Sequence, residues 1–215
     1  MILNMLAVTA FSENVYFVGD EETKEVIMID PGGEADRIMQ VIEDLGVTVK
    51  YILNTHGHMD HVGGVAKVRE ETGAEWGIHA EDVETSRRAP MDYTLRLIPD
   101  YVQPPDPDFT IGDGDEYKVG SVAVKAIETP GHTMGSICLH ADGVLFAGDT
   151  LFNGSVGRTD FPGSSQEALV KSIRDRLFSL DDSTVVLPGH GPQTSIEHEK
   201  THNPFVGVHS KLWTP

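Results

Sequence analysis

The segment Thr55-His56-Gly57-His58-Met59-Asp60-His61-Val62-Gly63-Gly64 constrains this chain more than any other. It places three imidazoles and a carboxylate within six positions, directly after the apolar Tyr51-Ile52-Leu53. Such a run reads as a loop at the end of a strand. Imidazole nitrogen and carboxylate oxygen together suit borderline divalent ions such as zinc, iron or manganese. Neighbouring residues of a tight turn point in different directions. One loop could therefore feed two adjacent metal positions.

Other apolar segments run into polar loops in the same way. Glu25–Ile29 leads into Asp30-Pro31-Gly32-Gly33, Val144–Ala147 into Gly148-Asp149-Thr150, and Val185–Leu187 into Pro188-Gly189-His190-Gly191. His132 follows a further extended segment, in Thr129-Pro130-Gly131-His132-Thr133. Functional side chains commonly sit on loops held by rigid strands. Each of these loops alone is an ordinary turn signal. Their coincidence yields seven candidate ligands: His56, His58, Asp60, His61, His132, Asp149 and His190.

The apolar periodicity predicts the remaining elements. Helices are expected over 35–45, 62–72, 164–177 and 196–202. Short strands are expected from the N-terminal segment through 14–18, 25–29, 49–53, 75–79, 117–119, 122–127, 136–141, 144–147 and 185–187. Residues 80–107 are the least regular stretch, with a short helix near 93–98, and are expected to wall the site. Two packed sheets with helices outside is the simplest layering that buries all these faces. The fold class is thus α/β, and the 215 residues suit one domain spanning 1–215.

Composition narrows the partners. A formal net charge of −18 argues against nucleic acid and anionic membrane as partners. No segment approaches the roughly 20 apolar residues of a membrane span. The N-terminus lacks the basic and apolar regions of a signal peptide, so a cytoplasmic location is expected. The one cysteine, Cys138, lies in an alternating strand pattern and reads as a packed core thiol. His79, His140, His198, His202 and His209 read as surface or packed histidines, and Trp76 as packing.

The four motifs, in this order, resemble those of the metallo-β-lactamase-fold hydrolases, and among them the hydroxyacylglutathione hydrolase (glyoxalase II) group. The likeness runs from Asp30-Pro31-Gly32 to Asn203-Pro204-Phe205. It implies a four-layer αββα sandwich with two divalent ions at one edge of the sheets, zinc first and iron or manganese as alternatives. His56, His58 and His132 would hold one ion, and Asp60, His61 and His190 the other. Asp149 would bridge them, and Asp30 would orient a ligand imidazole. The implied reaction is thioester hydrolysis by a metal-bridging hydroxide, with Asp60 also orienting the nucleophile. Arg158, in Gly157-Arg158-Thr159-Asp160-Phe161, would meet a substrate carboxylate, with Asp160 holding it in place. The chain resembles the short form, without the C-terminal helical extension that carries further glutathione contacts. Tyr93, Arg96, Tyr101, Arg87 and Arg88 are candidates for a different wall. The partner expected is a small thioester, and the state a monomer or small homo-oligomer. A rival within the same fold is a glutathione persulfide dioxygenase, with one Fe(II) on His56, His132 and Asp149.

Overall fold

A computed structural model describes residues 1–88 and 91–210, without the side chains of residues 91–93. Six strands form the first sheet in chain order: β1 (Ile2–Val8), β2 (Glu13–Gly19), β3 (Glu25–Ile29), β4 (Thr48–Leu53), β5 (Glu75–His79) and β6 (Phe109–Ile111). β1 to β3 pair antiparallel, and β3 to β6 pair parallel. The second sheet contains β7 (Glu116–Val119), β8 (Val122–Glu128), β9 (Ile137–Ala141) and β10 (Val144–Gly148). After the small ribbon of β11 (Leu151–Phe152) and β12 (Ser155–Val156), it is completed by β13 (Val185–Pro188) and β14 (Thr194–Ser195). Its order is β14-β13-β10-β9-β8-β7, with β10 and β13 parallel and the other pairs antiparallel.

Side chains alternate between the two faces of a strand, so each strand feeds two cores. On β3, Val26 and Met28 join one cluster while Ile27 and Ile29 join another. On β10, Val144 and Phe146 face the first sheet, and Leu145 and Ala147 face outward. Three cores result. The middle one lies between the sheets and includes Val18, Leu53, Val124, Leu139 and Phe146. One outer core packs the first sheet against α1 (Ala35–Leu45), α2 (Met59–Val62) and α3 (Val65–Thr72), through Ile38, Ile42, Val62, Val65 and Val68. The 3₁₀ turn Ala80–Asp82, α4 (Val83–Ser86) and α5 (Met91–Leu97) follow β5. The other outer core packs the second sheet against α6 (Gln166–Ser172, continued as a π-helical turn to Leu177) and α7 (Ile196–His202). Three cores between four layers make the αββα sandwich expected from the strand and helix periods. Each fully buried aliphatic side chain in them contributes about 1.5–3 kcal/mol. Cys138 sits in the third core, and burial pushes its thiol up to about 11, as suits a packed thiol. No helix among the described residues is long and apolar enough to cross a membrane.

Two elements differ from the periodicity. The helix expected over 62–72 breaks into α2 and α3 at Gly63-Gly64. Gly64 N–H donates to Pro31 O at 2.8 Å, so a tertiary contact with the Asp30 loop displaces the helical pattern there. The helix expected over 164–177 starts at Gln166, because Ser165 caps it by accepting from Ala168 N–H at 3.2 Å. The three-residue β6, paired parallel with β5, follows the irregular stretch and is too short to show a period.

Candidate metal centre

All seven candidate ligands lie at one edge of the sandwich because of strand direction. β3 and β4 run parallel in the first sheet, and β10 and β13 run parallel in the second. β8 runs with β10, since both are antiparallel to β9. The carboxyl ends of these strands deliver Asp30, His56 to His61, Asp149, His190 and His132 to a common rim. Open α/β sheets present ligand sites at such ends.

The first group is His56, His58 and His132, whose ligand atoms lie within 4.8 Å of one another. His58 Nδ1 is 3.1 Å from His56 Nε2 and 2.9 Å from His132 Nε2. The outer nitrogens fix the tautomers. Asp30 can only accept, so the Thr55 hydroxyl donates to Asp30 Oδ2 at 2.5 Å. Thr55 Oγ1, 3.1 Å from His56 Nδ1, must then accept from it. His132 Nδ1 donates to Arg158 O at 2.7 Å. Both Nε2 atoms therefore carry lone pairs toward His58 Nδ1, which has at most one proton to offer. Burial, then the neighbouring His61 and His58, hold the His56 ring well below its usual pKa. Burial and His132 push His58 down to about 4. Three imidazoles facing one point form a donor set that a borderline divalent cation fits.

The second group is Asp60, His61 and His190. His61 Nδ1 donates to Asp30 Oδ2 at 3.0 Å, and His190 Nδ1 donates to Phe11 O at 3.1 Å. His190 Nε2 is 3.4 Å from Asp60 Oδ2. Asp149 lies between the groups. Its Oδ1 is 3.4 Å from His61 Nε2 and 3.7 Å from His190 Nε2, while its Oδ2 is 3.6 Å from His132 Nε2. His61 Nε2 and Asp149 Oδ1 are buried without a hydrogen-bond partner. In the neutral tautomer set by Asp30, they are two acceptors facing each other. The surroundings call for positive charge there. Burial alone would lower the His61 pKa, but Asp149 and Asp30 raise it well above its usual value. A cation between the two atoms meets the same demand. Donor chemistry and these orphaned atoms together fit two divalent ions, one in each group.

A buried network supports the rim. Asp30 Oδ1 accepts from Thr55 N–H at 2.7 Å and from Asn54 Nδ2 at 3.1 Å. Asn54 Nδ2 also reaches His61 O at 2.7 Å, and its Oδ1 accepts from Trp76 Nε1 at 2.8 Å. Trp76 thus packs, as its sequence suggests, and also anchors this chain of bonds. Behind His61 sits Glu13, fully buried, with Oε1 3.9 Å from His61 Nδ1. Burial raises its carboxyl pKa well above the usual range against the pull of His61. Asn54 and Glu13 were not expected: neither belongs to a histidine- or glycine-marked motif, and only the packing brings them to the site.

Phe161 roofs the first group, its ring 4.9 Å from His58 and 5.7 Å from His132 between centroids. The Arg158 guanidinium stacks over that ring at 4.7 Å. It is also gripped bidentately by Asp160, at 3.0 and 2.8 Å. Arg158 therefore stands at the mouth as half of an exposed ion pair rather than as a free cation. In the excursion after β5, α5 reaches the histidine loop, with the Thr94 hydroxyl 2.9 Å from Met59 Sδ. Tyr101 is buried, Arg96 and Arg88 are exposed, and Arg87 pairs with Glu84 and Asp106. The Tyr93 side chain lies outside the described residues. None of the other histidines joins either group: His79 pairs with Glu128, and His198 stacks on His202.

Residues 8–190 match the family model described as metallo-beta-lactamase superfamily. The chain is 38% identical over 216 residues to hydroxyacylglutathione hydrolase GloC of Haemophilus influenzae, covering 98% of this chain and 100% of that protein. Among solved structures, it is similar to the BLEG-1 B3 metallo-beta-lactamase, with a TM-score of 0.86 and 30% identity over 95% of this chain and 99% of that one. It is also similar to TTHA1623 in a di-iron-bound form, with a TM-score of 0.84 and 33% identity over 94% of this chain and 99% of that one.

Proposed function

The chain belongs to the metallo-beta-lactamase superfamily, and from that premise we propose that it is a metal-dependent thioester hydrolase acting on S-acylglutathione-type or related thioesters. The observation that carries this reading is the placement of Asp149, which turns Oδ1 to His61 and His190 and Oδ2 to His132. His56, His58 and His132 would hold one ion, Asp60, His61 and His190 the other, with Asp149 shared. Two such ions, when bound, lower the pKa of a water and stabilise oxyanion charge at an attacked carbonyl.

The chain's own residues supply the rest. Asp30 and Thr55 keep protons on the outer nitrogens of His61 and His56, so that both Nε2 atoms face inward. Such partners fix the orientation and basicity of ligand imidazoles. Asp60 would orient the attacking water, besides serving as a ligand. Burial pushes its carboxyl up, but the His190 bond together with the charges of His61 and His190 holds it below the usual range. Phe161 gives the first group an apolar roof that excludes bulk water and accepts an acyl or thiol carbon chain. Arg158 can pair with a substrate carboxylate by exchanging it for Asp160. A thiolate leaves readily, so little demand falls on a separate general acid.

The name of the Haemophilus influenzae relative supports the thioester class, and the di-iron form of the solved relative supports two ions. The second donor group would supply the second ion that hydrolysis uses, but the one-iron persulfide dioxygenase keeps the same residues, so the two are separated by assay. The test is to assay one metal-replete preparation on S-lactoylglutathione, on glutathione persulfide with an oxygen electrode, and on a β-lactam. Chelator-sensitive thiol release from S-lactoylglutathione is expected. Oxygen uptake or β-lactam cleavage without thiol release would overturn the reading.

A further inference from the structure

One buried carboxylate outside both donor groups touches both loops of the first group. Asp82 ends the 3₁₀ turn after β5 and is 1% exposed. Its Oδ2 accepts from Gly57 N–H at 2.8 Å and from the Thr133 hydroxyl at 2.7 Å, and its Oδ1 accepts from Gly135 N–H at 3.2 Å. Gly57 lies between His56 and His58. Thr133 and Gly135 follow His132. The first loop hangs from the first sheet and the second from the other. At their base they are joined by Ile137 N–H to Thr55 O at 2.9 Å, and near their tips by Asp82.

The chain is shaped around this carboxylate. A Cβ on Gly57 would lie 2.6 Å from Asp82 O, and one on Gly135 would lie 2.7 Å from Asp82 Cγ. Only glycine allows that approach on both sides. Burial raises the Asp82 pKa against the bonds from Thr133, Gly57 and Gly135, so the fold keeps an acceptor there at a cost. The second group is held by different partners. Asp30 fixes His61 and the Phe11 carbonyl fixes His190, and Asp82 bonds to neither.

We propose that Asp82 is a positioning residue for the first ion: it clamps the His56–His58 loop to the His132 loop and sets the affinity of that group alone. The proposal rests on the reading that the two groups hold metal, and not on the identity of the substrate. Loss of such a supporting partner typically costs 10–100-fold in metal affinity.

The test isolates each position. With the whole chain carrying His61→Ala, the first group is measured alone by zinc titration against a competing chelator. With His58→Ala, the second group is measured alone. Adding Asp82→Ala should weaken zinc by roughly 10–100-fold in the first background and leave the second within about 2-fold. Asp82→Asn keeps an oxygen for Gly57 and Thr133 and should recover most of the loss. Thr133→Val removes one donor and should give an intermediate loss. Circular dichroism melts of the metal-free proteins monitor folding. If Asp82→Ala fails to fold, the Asn and Val variants decide alone. Equal weakening at both positions, or no weakening at the first, overturns the clamp. Wild-type protein that binds no zinc would overturn the metal reading itself. Two zinc ions bound without position-selective weakening would overturn only the role of Asp82.

Discussion

Replacing Asp30 by Asn changes no volume, so its effect isolates the acceptor arrangement at the base of the site. The carboxylate receives four bonds: Thr55 N–H and Asn54 Nδ2 on Oδ1, Thr55 Oγ1 and His61 Nδ1 on Oδ2. An amide has one acceptor oxygen. If it stays at the Oδ1 position, its NH₂ faces two donors. Each charge-assisted bond is worth about 1.5–3 kcal/mol, so losing two costs about 3–6 kcal/mol. Rotation of the Thr55 hydroxyl relieves one conflict and brings the expected loss to about 3 kcal/mol in metal-free protein. That is a large part of the roughly 5–15 kcal/mol that holds a domain folded. The same rotation has a chemical effect. A hydroxyl that donates to His56 Nδ1 forces the His56 proton onto Nε2, the atom that faces the first group. His61, facing an amide NH₂, is pushed toward the same tautomer. Both ions should then bind about 10–100-fold more weakly. Urea unfolding of metal-free Asp30→Asn, chelator-competed zinc titration, and imidazole nitrogen shifts by NMR read the three effects. A stability loss below about 1 kcal/mol with unchanged zinc affinity at both positions would refute the tautomer reasoning.

Other outcomes follow from separate contacts. Asp160→Ala should free Arg158 and lower KM for carboxylate-bearing thioesters by about 1.5–5-fold, at the scale of an exposed pair, with kcat unchanged; equal effects on neutral thioesters would contradict a role in charge recognition. Asp20 is tied by the Ser121 hydroxyl, then by the backbone of Thr23 and Ser121, which hold its carboxyl well below the usual range. A depressed folded pKa means stability present above the unfolded value of about 3.9 and lost as pH falls through the folded one. Asp20→Asn should therefore lower Tm at neutral pH, and the gap should shrink on strong acidification. Cys138, its thiol pushed up to about 11 by burial, should not react with a thiol reagent at pH ~8 until urea unfolds the protein. Reaction of the native state at the unfolded rate would show the third core to be open.

The candidate ligands were legible because each breaks a local rule. An imidazole or carboxylate directly after an apolar strand has no packing reason to be there, and His56 to His61 break that rule four times in six positions. The layers were legible from period. Val26 and Met28 against Ile27 and Ile29 already separate two cores. What stayed hidden depends on contacts distant in sequence. Asp82 ends an ordinary acidic turn, yet bonds to residues 25, 51 and 53 positions away. Asn54 precedes the histidine loop without any period or motif to mark it. Arg158 read as a cation for substrate, with Asp160 as its holder; only the structure shows that the holder grips the Nε–Nη2 edge of the guanidinium bidentately. The break at Gly63-Gly64 likewise needs Pro31, more than 30 residues away.

The central claim is that Asp149 stands between two donor groups, each completing one metal position. The most direct measurement is anomalous diffraction from crystals of the zinc-loaded protein. Two peaks per chain are expected, one among His56, His58, His132 and Asp149 Oδ2, the other among Asp60, His61, His190 and Asp149 Oδ1. A single peak on His56, His132 and Asp149 at saturating zinc, or no peak at this rim, would contradict the account.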